Sequence, residues 1–136
     1  MPDKKFPSNK IDSISLIALG PNWHWLSFDD LISLLDDYKL IIYSTREYLY
    51  DMEKMGAKWY QDHTIVLKEN SETNWEFLNR IKPEIEKTDM LILQTLRSEF
   101  KWFAKNSFSI PVILFIHCLN WWAFPKNKLS LWKIFL

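Results

Sequence analysis

Short apolar segments alternate with segments of helical periodicity along the chain. Between the apolar segments, hydrophobic residues recur every three or four positions, as at Leu31, Leu34 and Leu35, which is the spacing of one helix face. Strands that alternate with helices are typical of βαβ units and of a parallel, doubly wound sheet. The sequence therefore predicts an α/β, Rossmann-like fold: a mostly parallel sheet of about five strands with helices on both faces. The predicted strands are residues 14–19, 40–43, 63–67, 90–93 and a fifth that residues 108–110 lead into.

The fifth strand belongs to the run SIPVILFIHCLNWW at residues 109–122, which shows no polar–apolar alternation. A run that is apolar on both faces predicts a central strand, buried above and below. Open parallel sheets bind ligands outside the carboxyl ends of their strands, where the strand order reverses. In a 3-2-1-4-5 order, strands one and four flank this point and strand five lies one place further out. His117 to Trp122 would then lie close to the ligand crevice.

Several residues mark the ends of helices. Ser27 begins a Ser-Phe-Asp-Asp segment that resembles a capping box and predicts the start of the first helix. Thr45 predicts the N-terminal cap of a helix that runs through Met55, and Gly56 is placed to end that helix. Pro83 is expected to kink or split the next helix, because proline removes a backbone donor.

Composition and charge narrow the class of protein. The chain has 136 residues, 48% hydrophobic and 25% charged, which is ordinary for one folded domain. Its 17 basic residues balance 17 acidic residues, so no basic stripe predicts a nucleic-acid partner. The single cysteine, Cys118, excludes an internal disulfide and favours a reducing cytoplasm. We expect a flexible leader at residues 1–10 and a single domain over residues 11–136.

Missing motifs exclude several kinds of site. Gly20 and Gly56 are the only glycines, so neither a G-x-G-x-x-G dinucleotide loop nor a Walker A phosphate loop is possible. The chain has no C-x-x-C pair and no H-E-x-x-H, so no metal site is predicted. Cys118 directly follows His117, and adjacent strand residues point to opposite faces, so they form a poor nucleophile–base pair. No cofactor is expected.

Two groups of aromatic and polar residues follow predicted carboxyl ends of strands. Aromatic rings stack on the faces of a ligand while His and Asn bond its polar groups, which suits a sugar and suits a nucleobase too. Other interpretations stay open, since each histidine can simply bind backbone and the tryptophans can anchor the core or a neighbouring helix. The first group is Gly20, Asn22, Trp23, His24 and Trp25, and the second is His117, Asn120, Trp121 and Trp122.

The remaining candidate side chains favour structural roles. His63 precedes the third strand, at the opposite end of the sheet, and is expected on the surface. Four aspartates are expected to form a solvated helix face and N-terminal charges rather than an acid–base pair. They are Asp29, Asp30, Asp36 and Asp37.

Two segments resemble a known family. Phe115-Ile116-His117-Cys118-Leu119-Asn120 resembles the strand and hydrophobic-His-Asn segment in the N-terminal domain of GT-B-type glycosyltransferases. Lys87-Thr88-Asp89-Met90-Leu91-Ile92-Leu93 is similar to the Asp and apolar strand that precede it there. Cys118 stands where the common motif has Asn.

The resemblance implies the acceptor-side, N-terminal half of a two-domain enzyme. That enzyme would transfer a sugar from a nucleotide-sugar donor to a glycan or lipid-linked acceptor in polysaccharide biosynthesis. His117 would be the catalytic-cleft residue that contacts the transferred sugar, and Gly20 and its neighbours would lie near the acceptor and the donor phosphates. The partner half, a C-terminal nucleotide-binding domain, is missing here, so the isolated domain is not expected to be active.

The expected location is the cytoplasm, with peripheral membrane contact through Trp132, Lys133 and Phe135. No segment reaches the roughly 18 apolar residues that a membrane-spanning helix needs.

Two non-catalytic interpretations remain as alternatives. One is a flavodoxin- or receiver-like binding module, and the other is an interaction module that docks through its tryptophans. A receiver would need an acidic cluster after strand one and an aspartate after strand three. A flavin module would need a Ser-, Thr- and Gly-rich phosphate loop, which Pro21-Asn22-Trp23 does not supply.

Overall fold

The computed structural model describes residues 10–19, 25–58, 62–93 and 99–114, in which strands and helices alternate. The strands are β1 (Ser13–Ala18), β2 (Lys39–Ser44), β3 (Thr64–Leu67), β4 (Met90–Leu93) and β5 (Val112–Leu114). The helices are α1 (Trp25–Leu34), α2 (Arg46–Lys54), α3 (Asn74–Ile85) and α4 (Glu99–Lys105). Each of the five predicted strands has its counterpart, within a residue or two at the ends.

The five strands form one sheet in the order β3-β2-β1-β4-β5, and every neighbouring pair is parallel. Parallel neighbours need a crossover connection, and a helix supplies it between each strand and the next. Leu16 of β1 pairs with Ile42 of β2 on one side and with Ile92 of β4 on the other. The predicted fold class, a Rossmann-like α/β sheet, is confirmed.

Helices cover both faces of the sheet. Leu31 and Ile32 of α1 and Met52 of α2 pack in one buried cluster with Leu16 of β1. The other cluster contains Ile17 of β1, Tyr43 of β2, and residues of α3 and α4. Ile17 lies next to Leu16, so β1 contributes to both layers of the core because successive strand residues point to opposite faces.

A short row of hydroxyl groups crosses the second of these layers. Ser15 Oγ lies 2.8 Å from Thr88 Oγ1, and Thr88 Oγ1 donates to the Ile85 carbonyl at 2.7 Å. Burial raises the pKa of the Tyr43 phenol, although a hydrogen bond with Ser15 acts against that rise. These polar groups satisfy one another inside an apolar layer, as buried polar groups must.

The prediction that the fifth strand is central and buried on both faces is wrong for the residues that the structure describes. β5 ends the described sheet order, beside β4, and Val112 and Ile113 are 43% and 42% exposed. The central position belongs to β1, whose residues Ile14 to Ala18 are buried. An apolar run shows that a strand can be buried but not which neighbours it has, because strand order depends on contacts between distant segments.

Local sequence signals set most helix ends. The Thr45 hydroxyl accepts from the Tyr48 backbone N–H at 3.1 Å, which confirms the predicted cap of α2. Gly56 follows the end of α2 with φ +91°, a conformation that favours glycine. Thr73 and Glu76 form a complete capping box at the start of α3.

Two predicted helix features are wrong. α1 begins at Trp25, two residues before Ser27. α3 is not split at Pro83 but runs unbroken to Ile85. Pro83 lies in the last turn, so the donor that it lacks affects the helix only near its end. The predicted leader at residues 1–10 lies outside the described residues apart from Lys10, and the division into domains stays a prediction.

Candidate functional site at the carboxyl edge

The strands are parallel, so they all begin on one side of the sheet and all end on the opposite side. We call the side where they begin the amino edge and the side where they end the carboxyl edge. The amino edge is formed by the first strand residues, and the carboxyl edge by the last ones. The amino edge comprises Ser13, Lys39, Thr64, Met90 and Val112, and the carboxyl edge Ala18, Ser44, Leu67, Leu93 and Leu114.

The strand order reverses between β1 and β4. β1 is followed by α1, which packs on one face, whereas β4 is followed by α4, which packs on the other. The helices that follow β1 and β4 therefore lie on opposite faces of the sheet, and ligands of open α/β sheets bind where the strand order reverses in this way. Ala18 and Leu93 are themselves buried, so the described strand ends form an apolar floor at this point.

The predicted site residues follow these strand ends in sequence but lie outside the described residues. Gly20 directly follows Leu19, the last described residue after β1, with Asn22, Trp23 and His24 beyond it. His117, Asn120 and Trp121 follow β5, whose last residue is Leu114. Trp132, Lys133 and Phe135 also lie outside the described residues. The assignment of all these residues stays a prediction.

At the end of β2, two hydroxyl groups form hydrogen bonds with backbone groups of the protein itself. The buried Ser44 hydroxyl donates to the Ala18 carbonyl at 2.7 Å, which ties β2 to β1 at the carboxyl edge. Thr45 is committed to the cap of α2, and the Lys68 backbone N–H donates to the Ser44 carbonyl at 2.9 Å. Ser44 and Thr45 directly follow the apolar residues 40–43, and this position at the end of a strand could have indicated them as candidate site residues.

After the end of β3, charged side chains form hydrogen bonds and an ion pair with other side chains of the protein. Arg80 donates to both carboxylate oxygens of Glu72, at 2.8 and 2.6 Å. These bonds, with a third from the Glu69 backbone N–H, lower the pKa of Glu72 to about 2. The Lys68 ammonium group donates to Asn74 Oδ1 at 3.1 Å. Arg80 lies on α3 and Glu72 before it, a separation that no short-range pattern reveals.

At the amino edge, Asp89 joins the starts of β1 and β4. Its Oδ2 accepts from the backbone N–H groups of Asp12 and Ser13, both at 2.9 Å, and from the Ser13 hydroxyl at 3.1 Å. These three bonds lower the pKa of Asp89. Glu86 Oε2 similarly accepts from the backbone and hydroxyl of Ser109, on the approach to β5. The Asp before the apolar strand, which resembled a glycosyltransferase segment, therefore holds two strands together.

His63 lies at the amino edge, as expected, but its exposure was predicted wrongly. Its side chain is only 11% exposed, and Nε2 lies 3.7 Å from Asp36 Oδ1 in the turn after α1. The tertiary contact with that turn covers a side chain that its sequence position would leave at the surface. Asp30, Asp36 and Asp37 are exposed as predicted, and the side chain of Asp29 lies outside the described part.

No group of three or more metal-ligating side chains occurs within the four described ranges. In the same part of the chain, no helix combines the length and the apolar character that crossing a membrane requires.

Comparisons with known proteins indicate the fold of the chain. No protein-family model and no curated protein matches it. Among solved structures, it is similar to the crystal structure of a protein from the universal stress protein family from Burkholderia pseudomallei. The two chains are 16% identical, the match covers 80% of this chain and 98% of the other, and the TM-score is 0.51. At this identity the likeness concerns the fold alone.

The comparison overturns the glycosyltransferase interpretation. The fold of the chain is similar to that of a universal stress protein over nearly that protein's whole length, and this likeness points away from half a GT-B enzyme. The predicted membership of the GT-B-type glycosyltransferases is wrong, and so are the sugar-transfer function and the role in polysaccharide biosynthesis that it implied. The predicted Rossmann-like fold is confirmed. The error arose because the Asp before β4 joins two strands here, and because one fold hosts many unrelated functions.

Proposed function

We propose that the chain is a non-catalytic binding module that holds a nucleoside-type ligand at the carboxyl edge, between the ends of β1 and β4. The observation that carries the proposal is the reversal of strand order between these two strands. Ligands of open α/β sheets occupy this position, whatever the function of the protein. Of the interpretations left open by the sequence, the binding module without catalysis agrees best with this fold.

The chemistry of the ligand is proposed from the sequence. Trp23 and Trp121 offer flat aromatic faces, on which a nucleobase stacks. His24, His117, Asn22 and Asn120 offer donors and acceptors for the edge of a base, and Gly20 lets the backbone approach closely. The aromatic rings support the base as the recognised part of the ligand.

The described ionisable groups support binding rather than catalysis. Active sites usually shift the pKa of groups that face a cleft. Here, each described acid with a shifted pKa has a structural partner: Asp89 holds β1 against β4, and Glu72 holds the turn before α3. Tyr43 lies on β2 and is buried in the layer between the sheet and α3. We place this binding in the cytoplasm, because the single Cys118 suits a reducing compartment.

The test is isothermal titration calorimetry of the full chain with adenosine, guanosine, uridine and cytidine, and with glucose and galactose as sugar comparators. We expect at least one nucleoside to bind and the sugars not to bind. We expect Trp23→Ala to weaken binding about tenfold or more, since stacking on one base contributes about 1 to 3 kcal/mol. We expect His24→Ala to weaken binding through the loss of a hydrogen bond to the edge of the base.

A matched control is His63→Gln. His63 lies at the amino edge, so this variant should bind the nucleoside as the wild type does. A folded wild-type chain that binds none of the four nucleosides would refute the proposal. So would an equal loss of affinity in His63→Gln, because binding would then not depend on the carboxyl edge. Binding of the sugars alone would refute the proposed ligand class.

A further inference from the structure

We propose that the chain associates with a second copy of itself, head to tail, through a basic face on one side of the sheet and an acidic face on the other. The inference is independent of the nucleoside site and is argued from described residues alone. The basic face lies on α3, α4 and the loop before β5, and it comprises Trp75, Lys82, Lys101, Phe103, Lys105 and Phe108. The acidic face lies on α1 and the turn after it, and it comprises Asp30, Leu34, Asp36, Asp37 and Tyr38.

The basic face is a strip of half-buried aromatic rings with lysines beside them. The ring centroids of Phe103 and Phe108 lie 5.9 Å apart, which joins α4 to the loop before β5. The Lys82 ammonium group, on α3, lies 5.6 Å from the centroid of the Phe108 ring. The Lys105 ammonium group, on α4, lies 5.6 Å from the centroid of the Trp75 ring at the start of α3. The strip therefore crosses both helices.

The lysines of the basic face take part in no ion pair among the described residues. Lys101 and Lys105 are exposed and lie four residues apart, so they share one side of α4. The described carboxylates of α3 and of its C-terminal cap are bonded elsewhere: Glu76 to the backbone of Thr73, Glu84 to Lys87, and Glu86 to Ser109. The ammonium groups of the basic face thus remain for an acidic partner.

The acidic face carries the complementary charge. Residues 25–38 contain four aspartates and neither lysine nor arginine. Asp30 and Asp37 are exposed, and Leu34, which lies between them in the sequence, is 78% exposed. Asp36 has only the long contact of 3.7 Å with His63 among the described ion pairs. An apolar side chain flanked by carboxylates is complementary, in charge and in polarity, to aromatic rings flanked by lysines.

The two faces cannot meet within one chain. α1 packs on one face of the sheet, and α3 and α4 pack on the other, so the sheet lies between the basic and the acidic face. A second copy brings them together, because its acidic face can meet the basic face of the first. Such a contact joins two different surfaces, so it repeats from copy to copy and produces a ring or an open chain rather than a two-fold dimer.

The first measurement is sedimentation equilibrium of the full chain. We expect its weight-average mass to rise with protein concentration at about 0.05 M salt, and to return to that of the monomer at about 1 M salt, where charges are screened within about 3 Å. The double variants Lys101→Glu/Lys105→Glu and Asp30→Lys/Asp37→Lys should each stay monomeric in low salt. A wild-type chain that stays monomeric in low salt would overturn the inference.

The decisive step mixes the two charge-reversed variants. Each variant alone presents two faces of like charge, whereas the mixture again offers opposite charges, so we expect the mixture to associate as the wild type does. The matched control is Lys54→Glu/Lys58→Glu, which changes the net charge equally at two exposed lysines outside the basic face. We expect this control to associate at least as strongly as the wild type. A monomeric mixture, or an equal loss of association in the control, would overturn the inference.

An acidic segment of another protein is the other occupant that the basic face could take, and poly-glutamate is the probe for it. Poly-glutamate binding by a chain that does not associate with itself would also overturn the inference. If that binding were lost in Lys101→Glu/Lys105→Glu, the basic face would be assigned to an acidic peptide instead of a second copy.

Discussion

The two edges of the sheet are held together by different chemistry. At the amino edge, the Asp89 carboxylate joins the starts of β1 and β4, and the Glu86 carboxylate at the end of α3 accepts from Ser109 on the approach to β5. At the carboxyl edge, the ends of β2 and β3 are closed by Ser44, Lys68 and the Glu72–Arg80 pair, whereas β1 and β4 end on the apolar residues Ala18 and Leu93. The described polar contacts at the amino edge thus hold strands and helix ends together, and the ligand position that we propose at the carboxyl edge lies where the strand order reverses, between β1 and β4.

The largest effect should come from the core that joins the two edges. Leu16 lies in the middle of β1, is fully buried and packs under α1 and α2. Leu16→Ala should lower the free energy of unfolding by about 2 to 5 kcal/mol, through lost burial and the cavity left behind. The measurement is urea unfolding followed by circular dichroism.

The matched variant is Ile113→Ala on β5. Ile113 is 42% exposed, so its truncation should cost less than about 1 kcal/mol. Equal losses in the two variants would show that β5 is buried like β1 and would contradict its place at the side of the sheet.

At the amino edge, Asp89→Ala should lower the midpoint of urea unfolding by less than Leu16→Ala but clearly. The change removes the acceptor of three hydrogen bonds and leaves the starts of β1 and β4 untied. Asp36→Ala is the control at the same edge, because Asp36 is exposed and its contact with His63 is long, at 3.7 Å. A midpoint that falls equally in both variants would mean that Asp89 contributes only its charge.

The pH dependence of stability should carry the signature of the same carboxylate. The pKa of Asp89 is lowered in the folded chain from its ordinary value of 3.8, so the unfolded chain binds its proton first. Its contribution is present above pH 3.8 and is lost as the pH falls through the folded pKa. The Glu72 carboxylate also contributes stability, and this contribution is lost as the pH falls from 4.5 to about 2.

Urea midpoints measured between about pH 6 and about pH 2.5 test this. We expect the midpoint of the wild type to fall on acidification, and that of Asp89→Asn to start lower and fall less. Parallel curves for the two proteins would assign the acid sensitivity to other carboxylates.

A smaller effect than those of Leu16→Ala and Asp89→Ala is expected at the carboxyl edge. Ser44→Ala removes the donor to the Ala18 carbonyl, which should cost about 1 kcal/mol of stability. Affinity for the nucleoside should not change, since the Ser44 hydroxyl is fully buried and donates to the Ala18 carbonyl rather than to the ligand. A loss of affinity without a loss of stability would mean that the Ser44 hydroxyl contacts the ligand, and would contradict its purely structural role.

The sequence by itself determined the elements of this protein and their order along the chain. Apolar segments at residues 40–43 and 90–93, and the cap at Thr45, are local signals, and each produces its strand or helix end through contacts within a few residues. The alternation of strand and helix was enough to predict a parallel sheet, because parallel neighbours need crossovers.

Only the tertiary structure decided where each element lies and what each polar group does. It placed β5 at the side of the sheet, covered His63 with the turn after α1, and turned Asp89 from a family signature into a tie between two strands. These outcomes depend on contacts between residues far apart in sequence, such as Ser13 with Asp89, which no local pattern contains. The predicted site at Gly20 to His24 and His117 to Trp121 follows from strand ends alone, so ligand binding must test it.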